Sequence, residues 1–239
     1  MARTVLVTGG TRNIGAAIAA AFAAQGDEVV VAARRGAMGC PHRVFCADLR
    51  QPDACERLIA DVVEATGRLD VLVNNAGGAP AVDTATASPR LSEKVVRLNL
   101  LAPLWLSQYA NAAMQAAHGG VILNVASVAA LRGSPTVAAY GAAKAGLVQL
   151  TRTHALEWAP KVRVACVSPG LVATDSATWP EALRATIPAD RFCTPGDIAS
   201  ACTWLAGDAA TYVNGANLVL DGGGDWPAFL RAGRGDDHG

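Results

Sequence analysis

The stretch Thr4-Val5-Leu6-Val7-Thr8-Gly9-Gly10-Thr11-Arg12-Asn13-Ile14-Gly15 decides the reading of this chain. Its first five residues are apolar or β-branched and predict a strand. The glycine-rich turn that follows opens onto a helical segment, Ile14–Gln25. Such a turn points backbone N–H groups outward beside a helix N-terminus whose dipole favours an anion, and its glycines permit close approach. A pyrophosphate fits that description. A second apolar strand, Val29–Ala33, comes at the spacing a dinucleotide-binding unit requires.

The same rhythm continues along the chain. Short aliphatic runs at Arg43–Cys46, Val71–Asn74, Val121–Val125, Val162–Val167 and Leu218–Leu220 predict further strands. Helical patterns lie between them at Pro52–Thr66, in a long segment after Pro89 ending near Ala117, at Ala139–Trp158 and at Pro195–Ala206. Continuously apolar strands are those covered on both faces. The expectation is therefore an α/β fold, a single-domain Rossmann-like doubly wound parallel sheet of about seven strands with helices on both faces. Thr194-Pro195-Gly196-Asp197 offers an N-cap, a proline at the first helical position and an acid in the first turn. Two regions break the pattern. The Pro- and Trp-containing stretch Asp175–Cys193 is irregular, and a tail from Asp225 to Gly239 follows the expected 1–224 domain. The tail begins Asp225-Trp226-Pro227-Ala228-Phe229-Leu230, apolar enough to dock at a subunit interface or near a neighbour's active site.

Composition narrows the function classes. The 239 residues are 51% hydrophobic, which argues for a folded chain with a large core. Twenty basic residues balance twenty acidic ones with no positive cluster, so neither nucleic acid nor an anionic membrane is expected as a partner. Six cysteines are scattered without a C-x-x-C pair, and they read as small buried hydrophobes in a reducing compartment; no metal site is expected. The N-terminus lacks signal-peptide architecture and no apolar run reaches membrane-spanning length, so a cytoplasmic protein is expected.

Two details bear on chemistry. NAD-specific units place an acid after the second strand to bind the ribose hydroxyls. Here that strand ends in Arg34-Arg35, and guanidiniums suit the dianionic 2′-phosphate of NADP(H), which is expected in preference to NAD(H). Further on, Tyr140 and Lys144 stand one helical turn apart and share a face. Reduction of a carbonyl needs a proton on oxygen, and a free tyrosine with a pKa near about 10 exchanges protons slowly at neutral pH. A lysine ammonium beside it would stabilise the phenolate and lower that value. Arginine dominates the basic residues, with Lys94, Lys144 and Lys161 the only lysines, which singles out Lys144.

The spacing T-G-x-x-x-G-x-G, Asn74-Asn75-Ala76-Gly77, Asn99, Ser127, Tyr140-x-x-x-Lys144 and Pro169-Gly170 occur in an order that resembles the short-chain dehydrogenase/reductase family, 3-oxoacyl-ACP reductase-like members included, over residues 3–224. The resemblance implies hydride transfer between a nicotinamide and a small-molecule carbonyl or alcohol. It assigns Asn99, Ser127, Tyr140 and Lys144 to catalysis: Tyr140 as general acid/base, Ser127 on the substrate oxygen, Lys144 also on the nicotinamide ribose, and Asn99 positioning a relay water. It assigns to cofactor binding Gly9, Thr11, Arg12, Asn13, Ile14 and Gly15 in the turn, Arg34 and Arg35, Asp48 and Leu49 at the adenine, Asn75, Ala76 and Gly77, Tyr140 and Lys144, and Pro169, Gly170, Val172 and Thr174 at the carboxamide. Asn13 replaces the family's middle glycine, and asparagine tolerates the left-handed conformation such a site needs. The segment 175–193 is implied to be a substrate lid, with Trp179, Leu183 and Ile187 as its apolar part and Arg132, Arg184 and Arg191 as a possible basic rim for an acyl-carrier substrate. A homodimer or homotetramer is implied, joined through the helix after Pro89 and the Tyr140 helix by Ala113, Ala116, Ala142, Ala143, Leu147 and Leu150. The same residues would serve an NAD-linked alcohol dehydrogenase working oxidatively. A non-catalytic dinucleotide-binding regulator is the reading from another class. An enoyl reductase on this fold would space its Tyr and Lys further apart.

Overall fold

Successive residues of a strand face opposite ways, and in this protein each face has its own core. The computed structural model describes residues 2–175 and 179–224. Seven strands, β1 (Thr4–Thr8), β2 (Glu28–Ala33), β3 (Arg43–Cys46), β4 (Val71–Asn74), β5 (Gly120–Val125), β6 (Val162–Pro169) and β7 (Asn217–Leu220), form one parallel sheet in the order β3-β2-β1-β4-β5-β6-β7. Val5, Val7, Val31, Val73, Leu123 and Val167 point to one face, where α1 (Asn13–Ala24) and α7 (Pro195–Ala206) cover them with Ile18, Phe22, Ile198 and Leu205. Their strand neighbours Leu6, Val30, Leu72, Ile122 and Val164 point to the other. There α2 (Pro52–Thr66) and α4 (Ala102–Ala116) supply Leu58, Ile59, Leu106 and Met114. Each such side chain taken out of water contributes about 1.5–3 kcal/mol. This two-sided burial is why the strands read as unbroken apolar runs.

The remaining helices are α3 (Pro89–Val96), α5 (Ala138–Trp158) and the short α6 (Glu181–Arg184) within the irregular stretch. The capping signal at Thr194 is realised in full: its hydroxyl accepts from the Asp197 N–H, and the Asp197 carboxylate accepts from the Thr194 N–H. The expected long helix after Pro89 is not regular. A five-residue π-helical turn, Arg97–Leu101, separates α3 from α4, and the Ala102 N–H reaches back to the Arg97 carbonyl. The cause is visible in the sequence. Pro103 has no N–H to return to the Asn99 carbonyl, and its ring would press on that oxygen in a tight α-turn.

Two of the six residues expected at a subunit contact are internal. Ala143 and Leu147 are each 1% exposed, Leu147 lying in a small core with Val148 and Cys166 behind the end of the sheet. They serve this chain's own packing. Cys55, Cys166 and Cys202 are buried, Cys40 and Cys193 half-buried and Cys46 exposed. No helix among the described residues is long and apolar enough to cross a membrane. The expected docking of Trp226–Leu230 lies outside the described residues.

Candidate active site

In an open parallel sheet a crevice forms at the carboxyl ends of strands where the order reverses. Here that point lies between β1 and β4, and Thr8 staples it. The buried Thr8 hydroxyl donates to the Val73 carbonyl (3.2 Å) and accepts from the N–H groups of Asn75 and Ala76 (3.0 Å each). The Asn75 amide donates back to the Thr8 carbonyl at 2.9 Å. Asn75 and Ala76 are thereby fixed beside the glycine turn.

The turn has the shape an anion needs. Asn13 sits at φ +47°, so the left-handed conformation expected at this position is the one adopted. A Cβ on Gly15 would be driven into the Gly9 carbonyl oxygen, and one on Gly10 would come 2.5 Å from a Val31 methyl carbon. The turn therefore packs tightly against the sheet. Arg12 flanks the N-terminus of α1 and there is no acid in the helix's first turn, as suits a pyrophosphate. Thr11 and Ile14 are half-buried on either side.

The adenosine end is different in character. Arg12, Arg34 and Arg35 are exposed. The Asp48 carboxylate, expected at the adenine, is gripped at both oxygens by Arg50, Nε to Oδ1 at 2.8 Å and Nη2 to Oδ2 at 2.6 Å. That pair, with Arg34 adding to it, holds Asp48 below the usual carboxylate range. Leu49 is 5% exposed and its side chain belongs to the core.

At the other end the candidate catalytic groups converge. Ser127 lies in extended backbone just after β5, its hydroxyl accepting from the Ala129 N–H at 3.2 Å. A Cβ on Gly141 would lie 2.9 Å from the Ala129 carbonyl, so glycine beside Tyr140 lets α5 approach this turn. Lys144 is 3% exposed. Its ammonium donates to the Val125 carbonyl at 2.7 Å and lies 5.7 Å from the centre of the Tyr140 ring. Burial pushes the Lys144 pKa down to about 8. Burial also raises that of Tyr140, with the Ser127 hydrogen bond offsetting part of the rise. The Lys144 ammonium expected to lower this value is itself engaged by the Val125 carbonyl.

Asn99, fully buried within the π-turn, spends its side chain on structure. Its amide oxygen accepts from the Gly78 N–H (2.9 Å), and its nitrogen donates to the carbonyls of Gly78 (3.0 Å) and Val95 (2.9 Å). A Cβ on Gly77 would lie 2.6 Å from that oxygen and 3.3 Å from the Lys144 ammonium, which explains the glycine. A relay water, if held by Asn99, would use the main-chain carbonyl that Pro103 leaves without an i+4 donor.

Ser107, Asn124 and Thr151 escaped the sequence reading. Asn74 and Asn124 are paired in register on β4 and β5, and the Asn74 amide donates to Asn124 (2.9 Å) and Ser107 (3.0 Å). Asn124 in turn donates to Thr151 of α5 at 2.9 Å. This buried chain ties α4 and α5 to the sheet beneath the site. Polar letters inside apolar strands were the available signal.

Pro169 ends β6, and the Gly170 N–H donates to the Leu220 carbonyl at 2.9 Å. Val172 pairs with Cys193, and its carbonyl accepts from the Trp179 indole at 2.9 Å, so these residues anchor both limbs of the 175–193 segment. Thr174 is half-buried next along. Ile187 is buried against Gly222 and acts as a footing for the segment more than as its roof. Two of the three arginines expected as a basic rim are paired with acids: Arg184 with Glu181 and Asp190, and Arg191 with Asp197 at 2.7 and 2.9 Å.

Comparison with known proteins agrees with this geometry. A family model described as "Enoyl-(Acyl carrier protein) reductase" matches residues 9–225. The chain is similar to D-threitol dehydrogenase of Mycolicibacterium smegmatis, at 35% identity over 92% of each chain. It is equally similar to 3-oxoacyl-[acyl-carrier-protein] reductase MabA of Mycobacterium tuberculosis, 35% identical over 93% of each. The ligand-free aldohexose dehydrogenase of Thermoplasma acidophilum superimposes with a TM-score of 0.88 at 26% identity, covering 93% of both chains. The sheet order, the glycine turn and these relatives together make the chain a member of the short-chain dehydrogenase/reductase family, an NAD(P)-dependent oxidoreductase acting on alcohol or ketone groups.

Proposed function

We propose that the chain reduces a neutral ketone with NADPH, Tyr140 delivering the proton. The observation that carries this reading is the convergence of Ser127, Tyr140 and the buried Lys144, whose ammonium lies 5.7 Å from the centre of the Tyr140 ring, with burial raising the phenol's pKa. A raised pKa keeps the phenol protonated at neutral pH, which is the form a general acid needs. When bound, a nicotinamide would supply the hydride for the carbonyl carbon. Ser127 donates to the carbonyl oxygen and stabilises charge developing there. Tyr140 gives its proton to that oxygen as the C=O bond becomes C–OH, and the nearby Lys144 ammonium stabilises the phenolate left behind. The phenolate recovers its proton from water reaching the Asn99 carbonyl. In the oxidative direction the same groups run backwards, with Tyr140 taking a proton, and a raised pKa places that activity at alkaline pH.

Arg12, Arg34 and Arg35, exposed and with no acid at the end of β2, support NADPH over NADH. The relatives' printed names span a polyol, a sugar and an acyl-carrier substrate. Neutralised Arg184 and Arg191 speak against recognition of an acyl carrier through them and for a small uncharged ketone. Assembly as a cytoplasmic homodimer or homotetramer belongs to the same proposal, with Ala113, Ala116, Ala142 and Leu150 left for the contact.

The test is oxidation of NADPH and NADH against a panel of ketones and one acyl thioester, with Tyr140→Phe beside the unaltered chain. NADPH-preferring turnover that collapses in the variant is expected. Tight dinucleotide binding with no Tyr140-dependent turnover in either direction would favour a non-catalytic binding protein.

A further inference from the structure

Two side-chain hydrogen bonds join α5 to adjacent residues of β5. The Lys144 ammonium donates to the Val125 carbonyl at 2.7 Å, and the Asn124 amide donates to the Thr151 hydroxyl at 2.9 Å. Lys144 and Thr151 are seven residues apart, about two turns and 10 Å along one face of the helix. Asn124, Lys144 and Thr151 are all buried, at 1%, 3% and 0% exposure. Thr151 gives its own proton to the Leu147 carbonyl at 2.9 Å, which leaves its oxygen to accept from Asn124.

The apolar part of this contact specifies the depth of α5 poorly. Leu147 and Val148 pack with Ala126 and Cys166, and such contact is non-directional. A hydrogen bond weakens steeply with distance and angle, so it fixes a register that apolar surfaces leave free. An amide inside a strand also costs stability unless it is partnered, and an apolar residue at position 124 would join the core without that cost. Asn124 is itself held in place, because its oxygen accepts from the Asn74 amide at 2.9 Å on the adjacent strand.

We propose that Asn124 and Thr151 are positioning residues for the reaction: their bond sets where α5 lies along β5 and so places the Lys144 ammonium beside Tyr140. The assignment rests on the ketone-reductase reading above. Thr151 is eleven residues from Tyr140, about 16 Å along the helix, and acts through the helix rather than on the substrate. The Val125 carbonyl is one anchor for α5 and Asn124 is the second, so the helix can neither slide nor tilt without breaking one of them. A misplacement of about 1 Å in a group that acts on the substrate lowers turnover by up to about 10²-fold. The loss belongs in kcat, because the arginines proposed to hold NADPH lie at the other end of the crevice.

The experiment measures kcat and the KM for NADPH on the best substrate of the ketone panel, with urea melts, for four variants of the full-length chain. Thr151→Val keeps the shape and removes the acceptor, and Thr151→Ser restores it. Asn124→Leu joined to Thr151→Val makes both partners apolar, which costs the fold less than stranding one of them. Ser107→Ala removes the same kind of bond to Asn74 on the α4 side. The expected result is a fall in kcat of about tenfold in Thr151→Val with a smaller change in KM, and recovery to within about threefold of the unaltered chain in Thr151→Ser. Ser107→Ala should lose stability and keep its kcat. The joint variant should be no less stable than Thr151→Val and still turn over slowly, and it carries the test if Thr151→Val fails to fold. A kcat that returns with stability in the joint variant, or falls as far in Ser107→Ala, would make the network structural only and overturn the positioning role. So would an unchanged kcat in Thr151→Val. No Tyr140-dependent turnover in the unaltered chain would instead remove the reading on which the role rests.

Discussion

The two ends of the crevice are built on opposite principles. At the nicotinamide end Lys144 and Asn99 are buried and already engaged, Lys144 by the Val125 carbonyl and Asn99 by Gly78 and Val95, while Tyr140 is half-buried between them and solvent. At the adenosine end the basic residues Arg12, Arg34 and Arg35 are exposed. A buried, fully partnered group is held in one place and can serve the transition state without reorganising. An exposed guanidinium keeps its water and its freedom and gains affinity only when a phosphate arrives. Chemistry should therefore fail at one end and affinity at the other.

Tyr140→Phe should give the largest effect, a fall in kcat of about 10²–10⁴-fold with the KM for NADPH little changed. Steady-state kinetics on any accepted ketone separates the two. A proportional rise in the cofactor KM would mean that the two ends are not independent. Next comes the joint change Arg34→Ala with Arg35→Ala, expected to raise the KM for NADPH about 10–100-fold and leave that for NADH within a few-fold. The NADPH penalty should shrink as salt is added, because exposed charges are screened.

Lys144→Met should cut kcat and yet stabilise the fold. The folded-state pKa, about 8, lies below the ordinary value of 10.5, so burial penalises the charged form. The penalty is fully present below pH 8 and fades as pH rises towards 10.5, a window in which the unfolded chain binds more protons than the folded one. The unaltered protein should gain stability through that window. The variant's advantage, a net of about 1–2 kcal/mol at pH 7 after the Val125 carbonyl loses its donor, should vanish across it. Urea melts at pH 7 and pH 10 check both signs. The smallest effect belongs to Asn13→Gly, which relieves a left-handed asparagine already at φ +47° and should add less than about 0.5 kcal/mol.

The sequence was most informative where local spacing and placement coincide. Tyr140 and Lys144 share a face because they are a turn apart, and the glycine turn follows a strand because valines precede it. Asn13 was legible as left-handed for the same reason. What stayed hidden depends on partners brought from elsewhere in the chain. Nothing local links Asn74 to Asn124 and Thr151. The buried environment of Tyr140 is likewise a product of packing, so the direction of its pKa could not be had from the helix alone. Pro103 was in plain view, but its effect on Asn99 four residues back required the helix geometry to interpret.

The π-turn at Arg97–Leu101 has one more consequence, for anyone shortening or aligning this chain. Each helical residue advances about 100° around the axis. The stripe of α4 that meets the core, Leu106, Ala110 and Met114, is in phase with the sheet only because one extra residue is spent ahead of it. Deleting Leu100 would leave a smoother helix and a misframed one, rotating that stripe towards water while the helix ahead of it stayed in place. The irregular turn works as a phase shift between two amphipathic segments, and a protein without it would need a differently written helix from Pro103 onward.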